Sequence, residues 1–251
     1  MKHLKVTIHN EHSVKKIVNI SLNSPHNLNA IHLELYEELT GYLDAISADK
    51  EVGALIFSSE LATSFSAGVD VKFVQNLTNQ EASEFFSKIS SLLEKVVHLP
   101  IPTISVLSGY TFGAGADLAI SCDFRIASKS TTFRFPGPQF GLILGTQRLI
   151  HEIGHSRARF LTLSGSRIDG QRAYEYGLVH EVYENEAKAK ENALKLAETV
   201  LTVPVHAVQL LKKICNEQPK DATDLTRESV LEGDFNSRFN AYITQTAKKK
   251  S

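Results

Sequence analysis

The chain of 251 residues predicts an α/β fold with a largely parallel sheet and a helical C-terminal part. Apolar runs of strand length at residues 52–57 and 103–107 each lead into a glycine-rich turn and then a helical pattern. Helical spacing fills the intervals at residues 29–46 and 78–98. Beyond about Gly145 the pattern reads as wholly helical. Strands that alternate with helices need crossover connections, and these set neighbouring strands parallel.

The elements follow in order. Residues 6–8 and 18–22 alternate polar and apolar side chains, a two-stranded hairpin with a polar turn at residues 10–13. Residues 29–46 carry Ile31, Leu35, Leu39, Leu43 and Ile46 on one helical face. Residues 52–57 are a buried strand. Thr78 with Glu81 forms a capping box that opens a helix to about His98, and Pro100 and Pro102 end it by removing donors. A strand at 103–107, a helix at 113–121 and a strand at 123–127 come next. Helices are then expected at 147–153, 156–163, 170–176, 187–201 and 205–216, and from Asp224 onward. Thr202-Val203-Pro204 marks a soft boundary, dividing an α/β core at 1–200 from a helical module at 201–251.

The 27 Lys and Arg residues nearly balance the 28 Asp and Glu residues, for a net charge of −1. Such a chain offers no electrostatic footprint for nucleic acid or a membrane surface, and Lys248-Lys249-Lys250 reads as a solvated end. Cys122 and Cys215 cannot build a disulfide framework, and Cys122 stands in an apolar run typical of a buried thiol. The first twenty residues lack the apolar core of a secretory signal, and no run approaches the ~20 apolar residues of a membrane span. These features fit a soluble, cytoplasmic protein.

The chemistry concentrates in two turns: Phe65-Ser66-Ala67-Gly68-Val69-Asp70-Val71-Lys72, and Gly109-Tyr110-Thr111-Phe112-Gly113-Ala114-Gly115-Ala116-Asp117. A strand-to-helix turn leaves backbone N–H groups without intrahelical partners at the positive end of a helix dipole. Two such turns side by side aim two donors at one point, which is what binding a developing oxyanion requires. Two rival readings fail. His151-Glu152-Ile153-Gly154-His155 spells a zinc-protease pattern, but Gly154 interrupts the helix that would bring the histidines onto one face. The run from Gly113 to Ala119 mimics a dinucleotide fingerprint, but no Asp or Glu lies between Asp123 and Glu152 to hold a ribose. Asp70 reads as a helix cap, Asp123 as a structural group beside Arg125, and Arg148 as an ion-pair partner.

The two turns resemble those of the crotonase family, the enoyl-CoA hydratase/isomerase superfamily. Further matches are Pro25-His26-Asn27-Leu28-Asn29-Ala30-Ile31, Cys122-Asp123-Phe124-Arg125-Ile126-Ala127, Gly145-Thr146-Gln147-Arg148-Leu149, and residues 173–179. They run in family order from about residue 6 to residue 240. The resemblance implies a crotonase-type spiral of repeated ββα units whose C-terminal helical module builds homotrimers or hexamers. It implies an acyl-CoA thioester as substrate, with its carbonyl oxygen on the N–H groups of Ala67 and Ala114. By the same carry-over, Asn29, Ala30, Ser66, Gly68, Val69, Asp70, Lys72, Gly113 and Gly137 line the substrate site. No metal or redox cofactor is implied.

The chain departs from the family pattern at the acids. Hydratases of the family use two glutamates, because one carboxyl handles water and the other the α-carbon proton. The first position is Asp117 here, and the second falls on Gly137. Residues 142–145 stand where the family has a longer glycine-rich turn, and Leu28 replaces a frequent basic residue. Asp117 is thus the one family-aligned carboxylate and the candidate acid/base. A single base suits isomerisation or another proton transfer better than efficient hydration. The alternatives are other chemistry on this scaffold (thioester hydrolysis, decarboxylation, dehalogenation) or binding of CoA esters without turnover.

Overall fold

The structure is a computed structural model, and it describes residues 2–9, 15–216, 222–231 and 234–248. Strands β1 (Leu4–His9) and β2 (Lys16–Leu22) form the expected antiparallel hairpin, whose polar turn lies outside the described residues. Helix α1 (Leu33–Ala48) buries Leu35, Leu39, Leu43 and Ile46 of the expected apolar face, but it starts later than residue 29, because Asn29 (φ 59) is left-handed and Ile31 bridges to Val69 instead. Three strand pairs follow in series: β3 (Val52–Ser59) with β4 (Ser64–Ser66), β5 (Thr103–Leu107) with β6 (Tyr110–Phe112), and β7 (Phe124–Ser128) with β8 (Thr132–Arg134). Between the first two pairs lie the short α2 (Val71–Val74) and the long α3 (Asn79–Val97), and between the second two lies α4 (Ala114–Ser121). The capping box at Thr78 and Glu81 is formed in both directions and starts α3.

Each strand pair contributes one strand to each of two sheets. The larger sheet runs β1-β2-β3-β5-β7-β10 and the smaller β4-β6-β8-β9. All pairings from β2 to β10, and from β4 to β8, are parallel. A parallel sheet must be covered on both faces, and β3 is buried along its whole length. Its alternation divides the core. Leu55 and Phe57 face the main apolar cluster, while Ala54 and Ile56 face Ala189, Ala193 and Ala197 of α7 (Glu186–Val200). Alanine at every fourth position of α7 lets the helix lie close on the sheet.

The stretch after Gly145 is not wholly helical. Helices α5 (Thr146–Ser164), α6 (Gly170–Glu175) and α7 form near their expected places, but β9 (Ile168–Asp169) and β10 (Glu181–Tyr183) lie among them. β9 pairs antiparallel with β8, and β10 pairs parallel with β7. Two or three residues are too few to show a period, so only a ready-made sheet edge makes strands of them.

The helices α8 (Val205–Asn216), α9 (Ala222–Leu231) and α10 (Phe235–Lys248) pack back on the core. Lys212 of α8 donates to Asp123 Oδ2 at 2.6 Å. α9 lies along α3, and α10 rests on a short 3-10 turn at Gly137–Phe140. Phe235 and Phe239 of α10 pack against Phe86 and Phe140, with ring centroids 5.3 Å apart for Phe86–Phe235 and 5.1 Å for Phe140–Phe239.

Candidate active site

β4 and β6 are parallel neighbours, so the glycine-rich turns that follow them lie side by side. The contact is close. A Cβ built on Gly68 would stand 3.0 Å from Phe112 O and 3.7 Å from Ala114 N, and one on Gly115 would stand 2.6 Å from Ser66 Cβ. Gly68 (φ 103) and Gly113 (φ 48) also occupy backbone regions that a side chain disfavours. These glycines are there for packing and turn geometry.

The N–H groups of the two turns can be accounted for one by one. In the first turn, Ala67 N–H donates to Leu28 O (3.0 Å), Gly68 N–H to Ser66 Oγ (3.2 Å) and Asp70 N–H to Ile31 O (2.9 Å). Among the described residues nothing accepts from Val69 N–H. In the second turn, Gly113 N–H donates to Arg134 O (2.9 Å), whereas Ala114 is the first residue of α4 and its N–H has no intrahelical partner. The donor pair expected at Ala67 and Ala114 is therefore corrected at its first member. Ala67 is tied to the loop before α1, and Val69 presents the N–H left over.

Both turns face a cavity of about 130 Å³. Its remaining walls are largely apolar, with Phe86, Phe112, Phe140, Leu142 and Leu144, and Phe239 and Tyr242 of α10 across the top; Arg134 and Thr146 are the polar residues among them. Asp117 is the one carboxylate among the described residues that line it. The side chain is 7% exposed, and burial pushes its pKa up to about 7, with Arg148 acting in the opposite direction. Arg148 is itself buried on α5, and its Nη2 donates to Glu94 Oε1 at 3.1 Å, the ion pair expected of it.

Gly137 also lines the cavity, where a Cβ would stand 2.9 Å from Leu142 O. Gly68, Val69 and Gly113 are present as expected. Four other expected site residues have structural work instead. Buried Asn29 accepts from Ser24 N–H at 2.6 Å and donates to Ser59 Oγ at 2.8 Å and Phe65 O at 3.0 Å. Ala30 is buried beside it. Ser66 Oγ donates to Asn29 O at 2.7 Å. Asp70 caps α2 by accepting from Phe73 N–H at 3.2 Å, as its position in the sequence suggests. These hydrogen bonds brace the first turn, and none of the four residues is part of the cavity lining. Lys72 is exposed on α2 and outside the lining.

Sequence reasoning missed Phe239 and Tyr242. Their signal was the apolar spacing Phe235, Phe239, Tyr242, one helical stripe, but nothing in that stripe says which surface it covers. The zinc-protease pattern is disposed of by backbone and charge. Gly154 (φ 78, ψ 162) breaks α5 between the two histidines, and Glu152 is paired with Arg125. Asp123 does not pair with Arg125; it accepts from Thr103 N–H and Oγ1 at 2.7 and 2.9 Å and from Lys212.

Comparison with known proteins agrees with this architecture. A family model described as Enoyl-CoA hydratase/isomerase matches residues 12–250. The mitochondrial methylglutaconyl-CoA hydratase of Mus musculus is 34% identical over 215 residues, covering 83% of this chain and 68% of that protein. The human protein of the same name is covered over 63% of its length. The crotonyl-CoA hydratase of Syntrophomonas wolfei is 31% identical over 223 residues, covering 88% of this chain and 85% of that protein. Among solved structures, an enoyl-CoA hydratase from Bacillus anthracis superposes with a TM-score of 0.78 at 30% identity, over 98% of this chain and 96% of that one.

Proposed function

The chain belongs to the enoyl-CoA hydratase/isomerase family, and from that premise we propose that it binds an acyl-CoA thioester and transfers a proton at the acyl chain with one carboxyl group. In this reading the thioester carbonyl oxygen sits on the N–H groups of Val69 and Ala114. The observation that carries it is a pair of backbone donors without partners among the described residues, on neighbouring turns, beside one buried carboxylate in a largely apolar cavity. Removal of the α-proton places negative charge on the carbonyl oxygen, and donors fixed at that point stabilise the enolate without reorganisation.

Asp117 is the base. Its pKa near 7 leaves a large ionised fraction at neutral pH and makes it a far stronger base than an exposed aspartate. Having taken a proton from one carbon, the same carboxyl returns it to another, which shifts the double bond. That is isomerisation of a 3-enoyl thioester to the conjugated 2-enoyl form. Hydration asks for a second carboxyl to activate water, and Gly137 supplies none. No metal or redox group enters the scheme; coenzyme A arrives as part of the substrate. Lys72, exposed beside the first turn, meets its phosphates.

A second reading, hydration, is favoured by the names of the relatives, which are hydratases. The two are separated by assaying crotonyl-CoA hydration beside 3-enoyl-CoA isomerisation on short and medium chains. Isomerisation should dominate, and hydration at rates typical of efficient enzymes overturns the single-carboxyl mechanism. We further propose assembly as a homotrimer or dimer of trimers through the helices after residue 200. Leu210, Leu211 and Ile214 of α8 lie 59%, 61% and 64% exposed, an apolar face that a second copy covers. Light scattering on the purified chain reads the mass directly.

A further inference from the structure

Away from the cavity, the N-terminal strand and the start of α1 bring two imidazoles and a carboxylate together. The ligand atoms of His3, His32 and Glu34 all lie within 4.8 Å of one another. His3 Nδ1 is 2.8 Å from Ser24 Oγ, a contact that orients the ring and leaves Nε2 facing Glu34 Oε2 at 3.0 Å. The His32 ring stands edge-on to that of His3, with centroids 4.5 Å apart at 79°. His32 occupies the N-cap position of α1 but makes no side-chain capping bond, and among the described residues its ring takes no hydrogen bond.

We propose that His3, His32 and Glu34 bind one divalent cation of the zinc class, pinning β1 to the first turn of α1. Two imidazoles and one carboxylate are a donor set that suits a borderline ion, with a fourth position open to water. The contact of His3 Nδ1 with Ser24 is the kind of outer support that metal-bound histidines use to fix ring orientation. A cation takes neutral imidazoles and an ionised carboxylate, so binding releases any proton these ligands carry.

Binding requires the three ligand atoms to draw in around metal–ligand distances of about 2.0–2.2 Å. The exposed Glu34 side chain is free to make most of that movement. The Lys2 ammonium, now 2.9 Å from Glu34 Oε2, must be displaced, but both partners are largely exposed and such pairs are weak. Ile31, one residue before His32, donates its N–H to Gly68 O at 2.6 Å and accepts from Asp70 N–H. A cation at this place therefore ties the N-terminal strand to the backbone that carries the first glycine-rich turn. The site is invisible to a motif search, because its ligands come from two elements about thirty residues apart.

The test is calorimetric titration of the chelator-stripped chain with Zn²⁺. One ion per chain should bind with a micromolar dissociation constant. His3→Ala and His32→Ala should each weaken binding by roughly tenfold or more, and Glu34→Gln, at an exposed position, should weaken it without unfolding the chain. The melting temperature should rise with Zn²⁺ in the wild type and stay level in the histidine variants. A His151→Ala/His155→Ala double variant should bind as the wild type does. Absence of uptake overturns the site. So does uptake that survives either His3→Ala or His32→Ala, or uptake that is lost with His151 and His155 instead.

Discussion

Asp117 Oδ1 lies against the α-carbon of Gly145, so close that a Cβ built on Gly145 would overlap it. The carboxyl occupies the space that the missing side chain at the N-cap of α5 leaves open. Gly145→Ala should therefore leave the fold largely intact and displace the acid. A misplacement of about 1 Å costs about 10²-fold in rate, which a steady-state assay on any accepted enoyl-CoA would detect. Full activity in a folded Gly145→Ala protein would remove Asp117 from its assigned role.

The protonation of Asp117 should be visible in both rate and stability. As a base it must be ionised, so the rate should climb with pH through about 7 and then level off. Asp117→Asn should lose about 10²–10⁴ in rate. Stability runs the other way. Between the ordinary value of 3.8 and about 7, the folded chain holds a proton that the unfolded chain has released. Raising the pH across that window destabilises the fold, and no further change from this group follows above it. Asp117→Asn should abolish that loss, leaving the variant more stable than the wild type at pH 8 by up to roughly 4 kcal/mol in urea denaturation, and little different at pH 4.

Ala114→Pro deletes one proposed oxyanion donor at small structural cost. Ala114 is the first residue of α4, where proline is well tolerated because that N–H has no helical partner. Turnover should fall by about 10²–10³ while the far-ultraviolet circular dichroism stays unchanged. Normal turnover in the folded variant would argue against this oxyanion site.

Glu152→Gln should destabilise the chain. Arg125 is 1% exposed and also donates to Leu178 O at 2.6 Å and Cys122 O at 2.7 Å. Stripping a buried cation of its anion costs roughly 3–5 kcal/mol, and the partial exposure of Glu152 places the expected loss at or below the lower end. Thermal melts of the variant measure it, and unchanged melting would mean that water replaces the carboxylate.

Most of the fold was legible because its long elements carry strong periods. Leu35, Leu39, Leu43 and Ile46 mark α1 as clearly on the page as in space. β9 and β10 were not legible, being short edge strands that exist only because β8 and β7 offer free backbone groups. In the second turn, Ala114 begins α4, and the free N–H of a helix's first residue follows from its position in the chain alone. In the first turn, Ala67 loses its N–H to Leu28, a contact across 39 positions that no local rule anticipates. Asn29 and Ser66 look like polar ligands in a string of letters. In space they are the braces that bind that same loop.

Phe239 and Tyr242 roof a cavity whose floor is laid by Ala67, Gly68 and Val69 of the first turn and Gly113, Ala114 and Asp117 of the second. On the proposed reading, the residues that would set reach lie on α10 and those that would move the proton lie on the two turns and α4, in separate parts of the gene. Substitutions at Phe239 and Tyr242 should then alter the headroom above an acyl chain while Asp117 and the donors of Val69 and Ala114 stay in place, so that one chain length could be exchanged for another by drift or by design.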